Sequence, residues 1–133
     1  MQYKTDQEIF DHGLNHILKQ GKASVDGEAC KYRDTVGNSC IIGGMIGDEF
    51  YDESFEGKPI GILINYNTIF QRAMREFNIE IRFDSIGLLR DMQDCHDRAG
   101  VYEFDDFIPA FKRRMAKIAK DRGLEYTVKE VAL

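Results

Sequence analysis

Three groups of residues combine side-chain type and spacing in ways that support chemistry. His12 and His16 stand four apart, the separation at which two side chains on a helix converge on one ion. The metalloprotease form of that pair needs a glutamate after the first histidine, and Gly13 occupies that place. No third ligand is adjacent in sequence, so two polar residues on a helix flank are the simpler account. Cys30, Cys40, Cys95 and His96 together offer four soft or borderline ligands, the number that a structural zinc takes. Free cysteines also pack in cores as small hydrophobes, and nothing in the spacing brings 95 and 96 to the other two. His96 stands near Asp94 and Asp97, a setting for a general base, and Cys95 offers a thiol. Consecutive residues on a helix point about 100° apart, so Cys95 and His96 cannot serve each other as a dyad. A hydrogen-bonded core histidine is therefore expected at 96.

The remaining candidates are charged surfaces. Asp48, Glu49, Asp52, Glu53 and Glu56 are interleaved with Phe50, Tyr51 and Phe55. This run lacks the alternating Asp/Asn and central glycine of a calcium loop. Aromatic rings supply contact area and carboxylates steer a basic partner, so these eight residues are the expected protein-binding surface. Of opposite sign, Arg113, Lys117 and Lys120 follow one flank of the last helix and suit a phosphate backbone or an acidic protein. Cations near a helix C-terminus are already favoured by the macrodipole, by roughly 0.3–1 kcal/mol each. No base-stacking aromatic pattern accompanies them, which argues against nucleic acid. The glycines at 43, 44 and 47 are not followed by the Gly-Lys-Ser/Thr of a phosphate loop.

These groups are positioned by elements that the sequence signals locally. Thr5-Asp6-Gln7-Glu8 reads as a capping box ahead of Phe10, Leu14, Ile17 and Leu18 at helical spacing, with Gly21 as the stop. The runs 29–33 and 39–42 flank a turn-rich 34–38 and predict a β-hairpin in which Arg33 faces Ser39 and Tyr32 faces Cys40. The glycines at 43, 44 and 47 mark a close-packed passage into the acidic run. Pro59 opens a short helix over 60–64, Thr68 caps one over 69–77, and Asp84 caps one carrying Ile86, Leu89, Met92 and His96. Phe104, Phe107, Ile108, Phe111, Met115, Ile118 and Ala119 mark the longest amphipathic helix, with Pro109 in its first turn and Gly123 at its end. Residues 125–133 read as a short edge strand or a tail. The expectation is a mainly helical α+β single domain over 1–124, with one β-hairpin packed on the helices. The stripe of Phe104, Phe107, Phe111 and Met115 is large for short helices to cover and predicts a homodimer that buries it.

Composition narrows the class. A chain of 133 residues that is 43% hydrophobic and 31% charged builds one core without needing a metal or disulfide. Three cysteines without a CxxC spacing point to reduced thiols. No apolar run approaches the ~20 residues of a membrane span. The chain starts with Lys4, Asp6 and Glu8 rather than an apolar leader, so a cytoplasmic protein is expected. Eighteen basic against twenty-three acidic residues give −5, the wrong sign for a general nucleic-acid binder. Residues 1–66 hold 6 basic and 11 acidic residues, net −5, whereas 67–133 hold 12 of each, so the negative charge is polarised.

Three stretches form one distinctive set: Cys30-Lys31-Tyr32-Arg33 with Gly37-Asn38-Ser39-Cys40-Ile41-Ile42-Gly43; Tyr51-Asp52 with Phe55-Glu56-Gly57-Lys58; and Leu88-Leu89, Met92-Gln93 and His96-Asp97. The set resembles a recurring pattern in small uncharacterised bacteriophage and prophage proteins. The chain beyond Gly123 falls outside it. That resemblance implies a viral origin and a bacterial-cytoplasm setting; it attaches no activity to the segments and carries over no catalytic residue. The expected function is a phage- or prophage-encoded, non-enzymatic binding protein that inhibits or redirects a host protein, as an anti-defence inhibitor would. Its partner would present a basic surface, with no cofactor, membrane or nucleic acid involved. The alternative is a small-ligand module, either a nucleotide-binding sponge or a zinc-dependent enzyme built on Cys30, Cys40, Cys95 and His96.

Overall fold

The structure is a computed structural model and describes residues 2–27 and 29–128. Helix α1 (Asp6–Gln20) forms where its local signals place it. Thr5 Oγ1 accepts the Glu8 amide at 3.2 Å while Glu8 Oε1 accepts the Thr5 amide at 2.9 Å, so two amides without helical partners are satisfied reciprocally. Gly21 ends the helix in the left-handed region, at φ 80°. Strands β1 (Val25–Asp26) and β2 (Ala29–Cys30) follow, then helices α2 (Ile60–Tyr66), α3 (Thr68–Glu76), α4 (Phe83–Tyr102) and α5 (Phe107–Arg122). Short 3-10 turns lie at Gly43–Met45, Glu53–Phe55 and Phe104–Asp106. Among the described residues this is the expected mainly helical α+β arrangement with one antiparallel hairpin.

The hairpin sits earlier than its expected place. Val25 pairs with Cys30 and Asp26 with Ala29. The hairpin expected over 29–42 is reduced to a single bridge between Arg33 and Ser39, with the Cys40 amide on the Tyr32 carbonyl at 3.1 Å. Its register is the expected one, but side chains take the amides that a longer ladder would use. Asp34 Oδ1 accepts the amides of Val36 and Asn38, at 3.0 and 2.8 Å, which closes the turn. Glu56 takes the amides of Tyr32 and Arg33, and Ile42 leads directly into the first 3-10 turn.

Two caps also differ from expectation. Asn67, not Thr68, caps α3, accepting the Phe70 amide at 2.9 Å. Arg82 occupies the N-cap of α4 without capping a backbone amide through its side chain, and Asp84 is the second residue of the helix, where its charge still favours the positive helix end. The start of α4 is instead tied to α1 by Ser85 Oγ on Asp6 Oδ1 at 3.3 Å.

Helix α4 is the longest described and the centre of the fold, packing on α1, α2, α5 and β2. Phe10, Phe55, Phe70 and Phe111 are fully buried around it. Helix α5 starts only at Phe107, leaving Phe104 in a 3-10 turn and 59% exposed. Phe107, Phe111 and Met115 are buried inside the chain, with the first two rings stacked at 5.7 Å. Three of the four residues in the apolar stripe that predicted a homodimer are thus covered by the chain itself, and Phe104 alone of them stays exposed. Residues 125–128 form no strand; Gln7 fastens them to α1 by pairing with both backbone groups of Glu125, at 2.8 and 3.0 Å. The rest of the expected tail, 129–133, lies outside the described residues. No described helix is long and apolar enough to cross a membrane.

Candidate functional site

The acidic run divides into a buried underside and an exposed rim. Phe55 is fully buried, meeting Phe70 edge-on at 5.6 Å, and so belongs to the core and not to a contact surface. Glu56 is also committed to the fold. Its Oε1 accepts the Tyr32 amide at 2.8 Å, and its Oε2 accepts the Arg33 amide at 3.0 Å and the Tyr51 hydroxyl at 2.6 Å. Burial, then this bond to Glu56, raises the Tyr51 phenol above its ordinary pKa, so it stays a donor. Arg33 lies over the Tyr51 ring at 4.6 Å, donates to the Ile46 carbonyl at 2.7 Å and pairs with Asp48 at 2.9 Å. Phe50 and Tyr51 are half-buried against the core. Asp48, Glu49, Asp52 and Glu53 are the exposed members of the expected eight. Asp52 caps the second 3-10 turn at the Ser54 amide, 2.8 Å away, and its bonds to Ser54 hold its carboxyl below the usual pKa.

Helix α4 carries His96 into the interior beneath the loop between α1 and β1, fully buried. The Ser24 amide donates to its Nε2 at 3.0 Å, which places the ring proton on Nδ1. Nδ1–H then donates to Asp97 Oδ1 at 2.9 Å, an oxygen that also accepts Gln93 Nε2 at 2.9 Å. Gln93 Oε1 in turn accepts the Ile42 amide at 3.1 Å, so the chain of bonds ties α4 to both neighbouring loops.

Of the four residues offered to zinc, the fold brings together Cys30 and His96, adds Asp97, and leaves Cys40 and Cys95 elsewhere. Potential ligand atoms of Cys30, His96 and Asp97 lie within 4.8 Å of one another. A metal at Nδ1 would force the ring proton onto Nε2, where it would meet the Ser24 N–H donor 3.0 Å away, so the donor set fits a metal only if that bond breaks. The thiols are not activated. Burial pushes Cys30 and Cys95 up to about 12, and drives fully buried Cys40 higher still. Cys95 and His96 point apart as expected, each with its own neighbours.

The α1 histidines also serve separate neighbours. His12 meets Phe77 edge-on at 4.7 Å, and its buried Nδ1 has no partner. His16 Nε2 lies 2.9 Å from Ser39 Oγ. No carboxylate bonds His16 among the described residues, so the group that would orient the base of a catalytic triad is missing there. On α5 four cations are answered by carboxylates, Arg113 and Arg114 by Glu103 at 3.4 and 2.5 Å, Lys117 by Asp121 at 2.7 Å, and Arg122 by Asp91 of α4 at 2.7 Å, while Lys120 has no ion pair among the described residues.

A cleft of about 790 Å³ opens between β2, the loop 57–59, α2 and α4. All three stretches of the distinctive sequence set meet there: Cys30 to Tyr32 from the first, Gly57 and Lys58 from the second, Gln93 and Asp97 from the third. Tyr66 and Arg90, which no sequence pattern singles out, also line it. Compared with protein-family models, with curated proteins and with solved structures, the chain matches none.

Proposed function

We propose that this chain is a non-enzymatic binding protein of bacteriophage or prophage origin, acting in a bacterial cytoplasm by holding a host protein. An anti-defence inhibitor is the reading in view, with a partner that offers a basic surface to Asp48, Glu49, Asp52 and Glu53. One observation carries it: these four carboxylates are exposed on a loop whose underside is fixed by Phe55 and Glu56. A loop already ordered loses little entropy on binding, and charge of one sign on it accelerates encounter with its opposite. The groups that catalysis would draw on support the same reading, since the thiols are raised and both nitrogens of His96 are bonded. The origin rests on the sequence resemblance alone. Retention of a host protein by the immobilised chain, lost on combining Asp52→Lys with Glu53→Lys, is the expected outcome. Retention that survives the double substitution contradicts the assigned face.

A further inference from the structure

We propose that the cleft between β2, the loop 57–59, α2 and α4 is a nucleotide-binding site, distinct from the four exposed carboxylates of the acidic loop. Its volume of about 790 Å³ is far more than a lone phosphate or metal ion occupies and lies in the range of small-molecule sites. Its charge reverses that of the chain. Lys31, Lys58 and Arg90 line it, and none has an ion-pair partner among the described residues. Elsewhere Arg33, Arg82, Arg98, Arg113, Arg114, Lys117 and Arg122 face carboxylates, while Lys19, Lys22, Arg72, Arg75 and Lys120 also lack an ion pair among the described residues but do not line this cleft. Three cations without an ion pair converge on one concavity in a chain of net charge −5, which favours an anion there.

The two carboxylates of the cleft do not cancel this. Asp94 is paired with Arg98 at 2.9 Å, and Asp97 Oδ1 is held by His96 and Gln93. Asp97 keeps its second oxygen as an acceptor, which suits a ligand hydroxyl. On the α2 side, Tyr66 is 80% exposed and Ile62, one turn before it, 47% exposed, an open apolar face against which a flat ring can stack. The Tyr32 hydroxyl holds the Lys58 carbonyl at 2.5 Å, so the loop that carries the cation is fixed before any ligand arrives. Anion, hydroxyl and flat ring in one molecule is the chemistry of a nucleotide. Its phosphates belong with Lys31, Lys58 and Arg90, its base with Tyr66, and its sugar with Asp97.

The test is calorimetric titration of the purified chain with ADP, GDP, CDP and UDP in turn, and with pyrophosphate, at about 0.15 M salt. At least one nucleotide should bind one per chain. Combining Lys58→Glu with Arg90→Glu should weaken it about tenfold or more, with the fold checked by circular dichroism. Tyr66→Ala should weaken the nucleotide similarly and leave pyrophosphate unchanged, whereas Arg113→Glu with Lys117→Glu, outside the cleft, should alter neither. The proposal is overturned if none of the four binds, if the cleft variants bind like the parent chain, or if pyrophosphate binds as tightly as any nucleotide.

Discussion

Glu56 Oε1 accepts the backbone N–H of Tyr32 at 2.8 Å, across 24 residues of chain. With the Arg33 amide and the Tyr51 hydroxyl on its other oxygen, this carboxylate makes the acidic loop and the segment after β2 one piece. The exposed carboxylates are therefore displayed from a fixed base.

Glu56→Ala should destabilise the chain by about 2–4 kcal/mol, because it removes three charge-assisted bonds and leaves the buried Tyr32 amide unpaired. Glu53→Ala, an exposed carboxylate three residues earlier, should shift stability by less than about 0.5 kcal/mol. Urea denaturation of both variants checks the contrast. Equal effects would show that Glu56 does not hold the loop.

The glycines offer an opposite pair. A Cβ at Gly43 would run into the Tyr32 carbonyl oxygen, a backbone atom that cannot step aside cheaply, so Gly43→Ala should cost about 1–3 kcal/mol. Gly61 lies in α2 with nothing within 4 Å of such a Cβ, and Gly61→Ala should stabilise by about 0.5–1 kcal/mol. Thermal melts read both signs.

What the sequence made legible was local. The capping box at Thr5, the stops at Gly21 and Gly123 and the position of Pro109 depend on residues within one turn of each other, and all stand as expected. The hairpin over 29–42 failed as a ladder because its decisive competitor, Glu56, arrives from 24 residues away at Tyr32. Alternation of acids with aromatics could not tell that Phe55 points inward and Glu53 outward. The meeting of Cys30 with Asp97 spans 67 residues, a relationship that only the packing of α4 on β2 creates. Asp97 was visible beside His96 in the sequence, yet nothing there marked it rather than Asp94 as the ring's acceptor.

His96 tests the structural reading of the Cys–His cluster. His96→Ala should cost about 3–5 kcal/mol, combining a cavity with an unpaired Ser24 amide in the interior. Nitrogen NMR should find the ring proton on Nδ1, and dialysis against a chelator should leave the melting temperature unchanged. Stoichiometric zinc in the purified protein, or a melting temperature raised by added zinc, would contradict this.

His12 should make stability depend on pH. Burial first, then the charges of His16 and Lys4, lowers its pKa below 6.5 in the folded chain. The unfolded chain therefore takes up its proton at a higher pH than the folded one. The associated stability is complete above about pH 6.5 and is lost as pH falls through the lower folded value. His12→Gln should flatten this slope in denaturation midpoints measured between about pH 7 and 5. An unchanged slope would place the pH dependence on other groups.

The most direct test of the central claim is capture of a host protein from bacterial lysate on the immobilised chain, at low and at high salt. The account predicts that one partner is retained at low salt and that high salt slows its association more than it speeds its release. Asp52→Lys with Glu53→Lys should abolish capture, while Arg113→Glu with Lys117→Glu should leave it intact. Capture that persists in the first variant, or disappears in the second, would contradict the account.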